Sequence, residues 1–533
     1  MNYKKLLPRI GLALVPLTLG ALLLQGQGKG TDGPRLFAQV LQFVERHAVD
    51  SLGNAEIYEK AARGLIKGLN DPYADLYSPE ELAIFQRNTL GNNYGGIGMQ
   101  IESQDGLITV TRVFPGTPGE RGGVQAGDRI LMVDSVAVTG MRIGDVSDRL
   151  TGVAGTKVQA TFGREGVNQP IRATFTRAVI RVPTVPYTLV LDGGVGYLPL
   201  QRFNENSAAQ FEEALNELRR KGARSFILDL RGTPGGSLEQ SLKISSLFLR
   251  TGQELARVKH RGRDPEVYHA YQDPIIDSTA IVVLLDNFSA SASEIVAGSL
   301  QDHDRALVVG NGSFGKGLVQ TLYPLDGGWA IKLTTGKWYT PSGRSIQGEH
   351  TQLTDGRFVE YAPDSLESDS ARKARPMFRS DAGRIVYGGG GITPDVVVRQ
   401  DTMTAGEQEL LRSIGSKWPS ARSALYTYAL ELKGTVRPDF TVSQAWVDEL
   451  YRRMAAVEAA PERGLYDRNV SVLTRLLEQQ LAGLAFGDSA AFRRTVPQDR
   501  QLQTALEYLK KTSSQRELLA MAAAASKPAD PGK

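Results

Sequence analysis

The sequence predicts a multidomain chain of mixed helix and strand, an α/β (α+β) architecture, because its hydrophobic pattern changes character three times. From Arg181 to about Gln400 strand and helix signals alternate, which implies strands layered against helices in one core. From Gly91 to about Ala178 the pattern is short, β-like and broken by glycines. From Asp401 to Ala525 the chain is rich in Leu, Ala, Glu, Arg and Gln at helical period. The expected segments are therefore 1–30, a leader; 31–90, a helical region; 91–178, a small β domain; 179–400, the α/β core; 401–525, a separate helical domain; and 526–533, SKPADPGK, a disordered tail.

Composition narrows the function classes. With 41% apolar and 23% charged residues this is an ordinary globular chain, and 533 residues accommodate about three or four domains. Its 62 basic and 58 acidic side chains nearly balance at +4 and form no basic stripe, so nucleic acid is excluded as a partner. The absence of cysteine excludes disulfides, thiolate metal sites, cysteine nucleophiles and a lipidated cysteine anchor. At the amino terminus Lys4, Lys5 and Arg9 precede an uncharged apolar run from Ile10 to Leu24, followed by Gly26 and Gly28. That is a secretory signal layout, shorter than the ~20 residues of a bilayer span, and it directs the chain to the periplasm or cell envelope. No A-x-A pattern marks a cleavage point, so an uncleaved membrane anchor is the competing reading.

Taken in order, Phe37, Val40, Leu41 and Val44, then Ala61, Leu65 and Leu69, recur at helical spacing, and Ser78-Pro79-Glu80 reads as a helix start. This region carries no convergent polar cluster, so a supporting role is expected. Next come YGGIGMQIESQDGLITVTRVFPGTPGERGGVQAGDRILMVDSVAV, a short amphipathic helix near Ile143 to Leu150, and GTKVQATFGREG. This stretch resembles a PDZ domain of the kind found in bacterial proteases. The resemblance implies that Gly95, Gly96, Ile97 and Gly98 turn their N–H groups toward the terminal carboxylate of a peptide, which adds as a strand at the sheet edge. The arginine that such proteases place before the glycine after the helix is Thr151 here, leaving Arg149 or Arg112 to take its part.

In the core, the glycine loop from Gly310 to Gly317 fits three signatures that fail on context. Gly310, Gly312 and Gly315 spell G-x-G-x-x-G, but a loop between two strands offers no helix N-terminus to a pyrophosphate. Gly310 to Lys316 spells G-x-x-x-x-G-K, but Gly317 stands where magnesium binding needs Ser or Thr. Ser313 to Lys316 spells S-x-x-K, but glycines flanking the lysine argue against the helix that motif requires. Lys316 is left to act as a base toward a serine elsewhere. The apolar runs Ala306–Val309 and Leu318–Val319 beside it favour burial, which would lower its pKa from ~10.4 toward neutrality.

Ser291 stands where a buried strand gives way to a helix. It reads either as the N-cap of SASEIVAGSL, with Glu294 completing a capping box, or as a nucleophile whose oxyanion would face the Ala292 N–H and the helix dipole. Ser289 and Ser293 compete for that role on spacing alone. FSASASEIVAGSLQDHDRALVVGNGSFGKGLVQ, preceded by LDLRGTPGGSLEQSL and followed by IKLTTGKWYTPSGRSIQG and YGGGGITPDV, resembles the carboxyl-terminal processing protease (tail-specific protease) family over roughly residues 30 to 400. The resemblance implies a ClpP/crotonase-like core preceded by the PDZ domain. It makes Ser291 the nucleophile, Lys316 the base and Gln320 the residue that orients the base. It also places an oxyanion-hole N–H in Arg231-Gly-Thr-Pro-Gly-Gly236, at Gly235 or Gly236, paired with Ala292. Neither metal nor cofactor is implied.

The rival scheme is Ser–His–Asp. Of His47, His260, His269, His303 and His350, His303 between Asp302 and Asp304 is the candidate, but adjacent residues do not supply a triad's orienting contact. The reading is thus an exported, ATP-independent serine endopeptidase acting on unstructured protein or peptide carboxyl termini, with an empty PDZ domain expected to obstruct or misalign the site. The alternatives are a non-catalytic adaptor that binds such termini, against which the intact Ser291, Lys316 and Gln320 speak, and a P-loop ATPase. For the helices after 401, a cap or prop is the first reading and homo-oligomerisation the second.

Overall fold

The computed structural model describes residues 32–50, 52–86, 93–104, 107–114, 116–164, 167–348, 374–399 and 403–525. The leader reading for 1–30 and the tail reading for 526–533 lie outside the described residues, as does His350. The chain divides into two compact units. One comprises the residues up to 77 with 322–333, the other 78–321 with 334–533.

In the first unit, helices Gly33–His47 and Asn54–Gly68 precede the short strand Asp75–Tyr77, which pairs antiparallel with residues 330–332. Arg63 donates to the Leu76 carbonyl at 2.9 Å and lies over the Trp329 ring. No residue of Gly33–His47 is buried; Leu36, Phe37, Val40, Phe43 and Val44 are exposed along it.

The second unit opens with helix Pro79–Phe85, capped by Ser78 and Glu81 in a reciprocal box. The PDZ sheet then runs in the order Met99–Gln104, Leu107–Val113, Arg129–Val133, Lys157–Gly163, Ile171–Thr176. Helix Ile143–Leu150 closes it over a core that includes Val110, Val133, Val146, Val158 and Phe162. The sheet order leaves Met99–Gln104 at one edge.

The α/β core is built on a six-stranded sheet. Val195–Pro199, Ser225–Asp229, Ile281–Leu285, Leu307–Gly310 and Val396–Val397 are parallel neighbours in that order, with Leu189–Leu191 antiparallel at one edge. The four central strands are buried throughout and mostly apolar, because both faces of the sheet are covered. Helices Ser207–Arg220, Leu238–Ser246 and Ala292–Asp302 cover one face, packing Phe211, Leu215, Ile244 and Val296 on Leu198, Leu228 and Val283. Because the strands are parallel, the loops after Pro199, Asp229, Leu285 and Gly310 emerge at one end of the sheet.

The sequence groups 401–525 as one separate helical domain; the helices form, but they divide. Helices from Ala405 to Phe486 share their own core around Leu410, Leu450, Tyr466, Leu473 and Leu477. Helices Arg500–Lys510 and Gln515–Ala525 instead cover the second face of the sheet, with Leu502, Leu506, Leu509 and Leu518 on Tyr197, Ile227, Val282 and Leu284. An apolar stripe at helical period looks the same whether its partner is a helix or a sheet, so periodicity could not separate the two groups. The first group touches the PDZ domain, where the Tyr426 hydroxyl donates to the Val110 carbonyl at 3.3 Å. Helix Asp488–Thr495 lies between the groups, and its Asp488 pairs with Arg112 at 2.7 Å.

Candidate active site

Ser291 is the residue at which strand Ile281–Leu285 is converted into helix Ala292–Asp302. Its backbone has φ +54° and ψ −109°, a region that side-chain-bearing residues rarely occupy and that costs on the order of 1–3 kcal/mol. The turn before it is held by Asp286, whose carboxylate accepts from the N–H groups of Gly232, Phe288 and Ser289 at 3.0 Å each. Of the three serines that spacing left in competition, two are buried and occupied. The Ser289 hydroxyl donates to the Leu230 carbonyl at 2.9 Å and the Ser293 hydroxyl to the Thr233 carbonyl at 2.9 Å. Ser291 alone is partly exposed.

Glu294, fully buried one turn into the helix, joins Ser291 to the glycine loop. Its Oε2 accepts from the Ser291 N–H at 2.7 Å and from the Lys316 N–H at 2.9 Å. Its Oε1 accepts from the Ser313 hydroxyl and the Gly315 N–H, both at 2.6 Å. One carboxylate oxygen therefore brings the backbones of Ser291 and Lys316 within two hydrogen-bond lengths of each other. The capping-box reading anticipated the first of these four contacts and missed the other three, whose donors lie on a different loop. Burial pushes the Glu294 carboxyl up to about 7 against the pull of its donors.

The loop carrying Lys316 forms no helix and runs directly into strand Leu318–Pro324, so neither a phosphate-binding nor an S-x-x-K geometry exists there. Lys316 is half-buried, its carbonyl accepts from the Trp338 indole at 2.9 Å, and the next N–H, of Gly317, goes to the Gln347 side chain at 2.9 Å. Gln320 lies on the strand, with its amide donating to the Thr334 hydroxyl at 3.4 Å.

The loop Arg231–Gly236 lies against the same turn. A Cβ on Gly235, where φ is +97°, would stand 2.6 Å from the Ala290 carbonyl, 2.9 Å from the Ala292 nitrogen and 3.0 Å from the Ser291 Cβ. Gly236, at φ +145°, would meet the Phe203 carbonyl at 2.1 Å. Thr233 ties the loop down: its carbonyl accepts from the Ala290 N–H at 3.1 Å and its hydroxyl donates to the Leu200 carbonyl. No described residue accepts from the N–H of Gly235, Gly236 or Ala292. Gly235→Ala should lower kcat/KM by 10²-fold or more, about 2.7 kcal/mol, because the added methyl must displace the loop from Ser291. Steady-state kinetics alongside a thermal melt check it; unchanged kinetics in a folded variant would remove the loop from the site.

The PDZ glycines fall on two kinds of backbone. Gly95 and Gly96 end strand Asn93–Gly96, which pairs with Ala178–Arg181, and the chain leaves the strand at Ile97 and Gly98, where φ is +84°. Gly95 is closely packed: a Cβ there would lie 1.9 Å from the Gly152 carbonyl. Of the substitutes for the missing arginine, Arg112 is paired with Asp488. Arg177, which the sequence did not single out, secures the end of helix Ile143–Leu150 through the Arg149 and Leu150 carbonyls at 2.8 and 3.0 Å. His303 has Asp381 at 2.7 Å from one ring nitrogen and the Glu254 carbonyl at 2.7 Å from the other, while Asp302 and Asp304 pair with Arg344 and Arg384. It is a structural histidine.

Residues 194–354 match peptidase family S41 and residues 109–162 match the PDZ domain. The chain is 35% identical over 316 residues to a carboxy-terminal-processing protease of Bartonella bacilliformis, covering 58% of this chain and 72% of that protein. It is 32% identical over 337 residues to the carboxy-terminal processing protease CtpA of Bacillus subtilis, covering 63% and 72%. Among solved structures, the photosystem II D1 C-terminal processing protease is similar at 27% identity, covering 64% of this chain and 99% of that one, with a TM-score of 0.36.

Proposed function

The chain belongs to the carboxy-terminal processing protease family of S41 serine peptidases, and we propose that Ser291 and Lys316 are its nucleophile and general base, acting on polypeptides whose free carboxyl termini the PDZ domain captures. The observation that carries this reading is the pair of hydrogen bonds from the Ser291 and Lys316 backbones to one oxygen of Glu294. The Ser291 oxygen attacks the scissile carbonyl while the Lys316 amine takes its proton. The N–H groups of Ala292 and of Gly235 or Gly236 receive the oxyanion. Lys316 then protonates the departing amine, and a water, activated by the same lysine, hydrolyses the acyl-enzyme to release the new carboxyl terminus and restore Ser291. Gln320 is assigned to orienting Lys316 from the adjoining strand.

In this reading residues 91–178 bind the tail and residues 179–400 cut. The edge strand Met99–Gln104, beside helix Ile143–Leu150, supports tail capture by strand addition, with the turn at Ile97-Gly98 facing the carboxylate. Export is assigned from the leader layout of residues 1–30; among the described residues no helix is long and apolar enough to cross a membrane. Cleavage of an unstructured polypeptide with a free apolar carboxyl terminus, compared with the same polypeptide amidated at that end, tests the proposal. The free tail should raise kcat/KM by at least about 10-fold, chiefly through KM. Equal rates would sink tail capture and leave the peptidase, and cleavage of neither would favour a tail-binding adaptor.

A further inference from the structure

Arg231 begins the glycine loop that lies against Ser291, and its guanidinium is held between two carboxylates. On one side Nη2 and Nε reach Asp229 at 2.6 and 2.9 Å; on the other Nη2 and Nη1 reach Asp499 at 2.8 and 2.9 Å. Asp229 belongs to the core strand and also accepts from the Tyr197 hydroxyl at 2.7 Å. Asp499 comes from the far end of the chain, where it caps helix Arg500–Lys510 through the Leu502 N–H at 3.0 Å. Gln501 adds a third acceptor to Arg231 at 3.2 Å, and the Phe492 ring stacks on Tyr197 at 4.5 Å. All three charged side chains are largely buried. Burial works against the charge on Arg231, and the two carboxylates outweigh it, holding the guanidinium firmly protonated.

From Arg231 the contacts run directly into the site. Its own N–H donates to Asp229 at 3.0 Å, the Gly232 N–H to Asp286, and Thr233 fastens to Ala290 and Ser293 on either side of the nucleophile. The guanidinium thus sets where the loop starts, and Gly235 is where it ends, against Ser291.

We propose that Asp499 is a positioning residue for the oxyanion loop: by fixing Arg231 from the side opposite Asp229, it sets the loop that presents Gly235 and Gly236 to Ser291. The last helices of the chain are then part of the catalytic apparatus, beyond the cap or prop expected for them. Backbone donors stabilise an oxyanion only when placed to within a fraction of an ångström, so loss of one of two opposed clamps is felt in turnover more than in substrate affinity. The inference rests on the Ser291 and oxyanion-loop reading above.

Asp499→Asn and Asp499→Ser test it in the full-length protein, because both keep an acceptor for the Leu502 N–H while removing the charge opposite Arg231. Cleavage of a fluorogenic peptide with a free apolar tail is followed for kcat and KM, with the melting temperature measured in parallel. Both variants should lose about 10- to 100-fold in kcat with KM within about 3-fold of wild type. The double variant Arg231→Gln/Asp499→Asn should be no slower than Arg231→Gln alone, because Asp499 acts through Arg231. A kcat within about 2-fold of wild type, or effects of Arg231→Gln and Asp499→Asn that multiply, would overturn the proposal and leave Asp499 as a helix cap. Should both variants fail to fold, Asp499→Glu decides: at least about a 5-fold loss of kcat at constant KM supports the role, and wild-type turnover ends it. If wild type itself does not cleave, the Ser291–Lys316 reading fails and takes this one with it, whereas an active wild type matched by Asp499→Asn removes this one alone.

Discussion

Ser291→Ala and Lys316→Ala should each reduce kcat/KM by about 10⁴-fold, roughly 5.5 kcal/mol of transition-state stabilisation, and the double variant should be no worse than either single one. Non-additivity is expected because each residue is useless without the other: a serine with no base stays a weakly nucleophilic alcohol, and a base with no serine has no proton to take. Lys316→Arg should be as inactive as Lys316→Ala despite keeping the charge, since a guanidinium does not give up its proton in a protein. Ser289→Ala and Ser293→Ala should behave differently. Their hydroxyls hold the Leu230 and Thr233 carbonyls, so they should lower the melting temperature while retaining measurable turnover. A Ser291→Ala variant with wild-type turnover would transfer the nucleophile elsewhere.

Glu294→Gln should be the most damaging substitution outside the reacting atoms, lowering kcat/KM by about 10²- to 10³-fold and destabilising the fold by about 3 kcal/mol. Four donors converge on its carboxylate, and an amide would turn two N–H groups of its own toward a pair of them. The same carboxyl should separate stability from activity on acidification. Its folded pKa, about 7, lies above the ordinary 4.5, so the folded protein holds the proton more tightly than the unfolded chain does. Its contribution to stability is therefore fully present below pH ~4.5 and is lost as the pH rises through about 7. Turnover should change in the opposite direction, because the protonated acid has one fewer acceptor for the N–H groups that place Ser291 and Lys316. Melting temperature and kcat measured from pH 5 to 8 in wild type and Glu294→Gln check this. If the wild-type minus Glu294→Gln difference in melting temperature is flat with pH, Glu294 does not titrate in this range.

How much of this was legible in the sequence depends on how far apart the partners stand. The strand-to-helix junction at Ser291, the loop carrying Lys316 and the buried parallel strands were readable because each depends on neighbours within a few residues. The second half of the role of Glu294 was not, since Ser313, Gly315 and Lys316 are distant in sequence and nothing local marks a carboxylate as shared. Asp499 was hidden more deeply: as a helix cap it looks like any other Asp before an apolar stripe. Gly95 carries a similar ambiguity. A glycine needed for close packing of Gly95 on Gly152 has the same letter as one needed for a turn.

Helices Arg500–Lys510 and Gln515–Ala525 close the second face of the sheet, and Asp499 stands 268 residues beyond Arg231. A chain made from its amino end at about 5–20 residues per second therefore waits roughly 13–54 s between the emergence of the loop and that of its clamp. Until then the faces of Tyr197 and Ile227, and of Val282 and Leu284 once they are made, lack the helices that cover them in the finished fold, and Arg231 lacks the second of its two counter-charges. The second face of the sheet is thus closed only after the whole of the Arg231–Gly236 loop and of the Ser291 turn has been made.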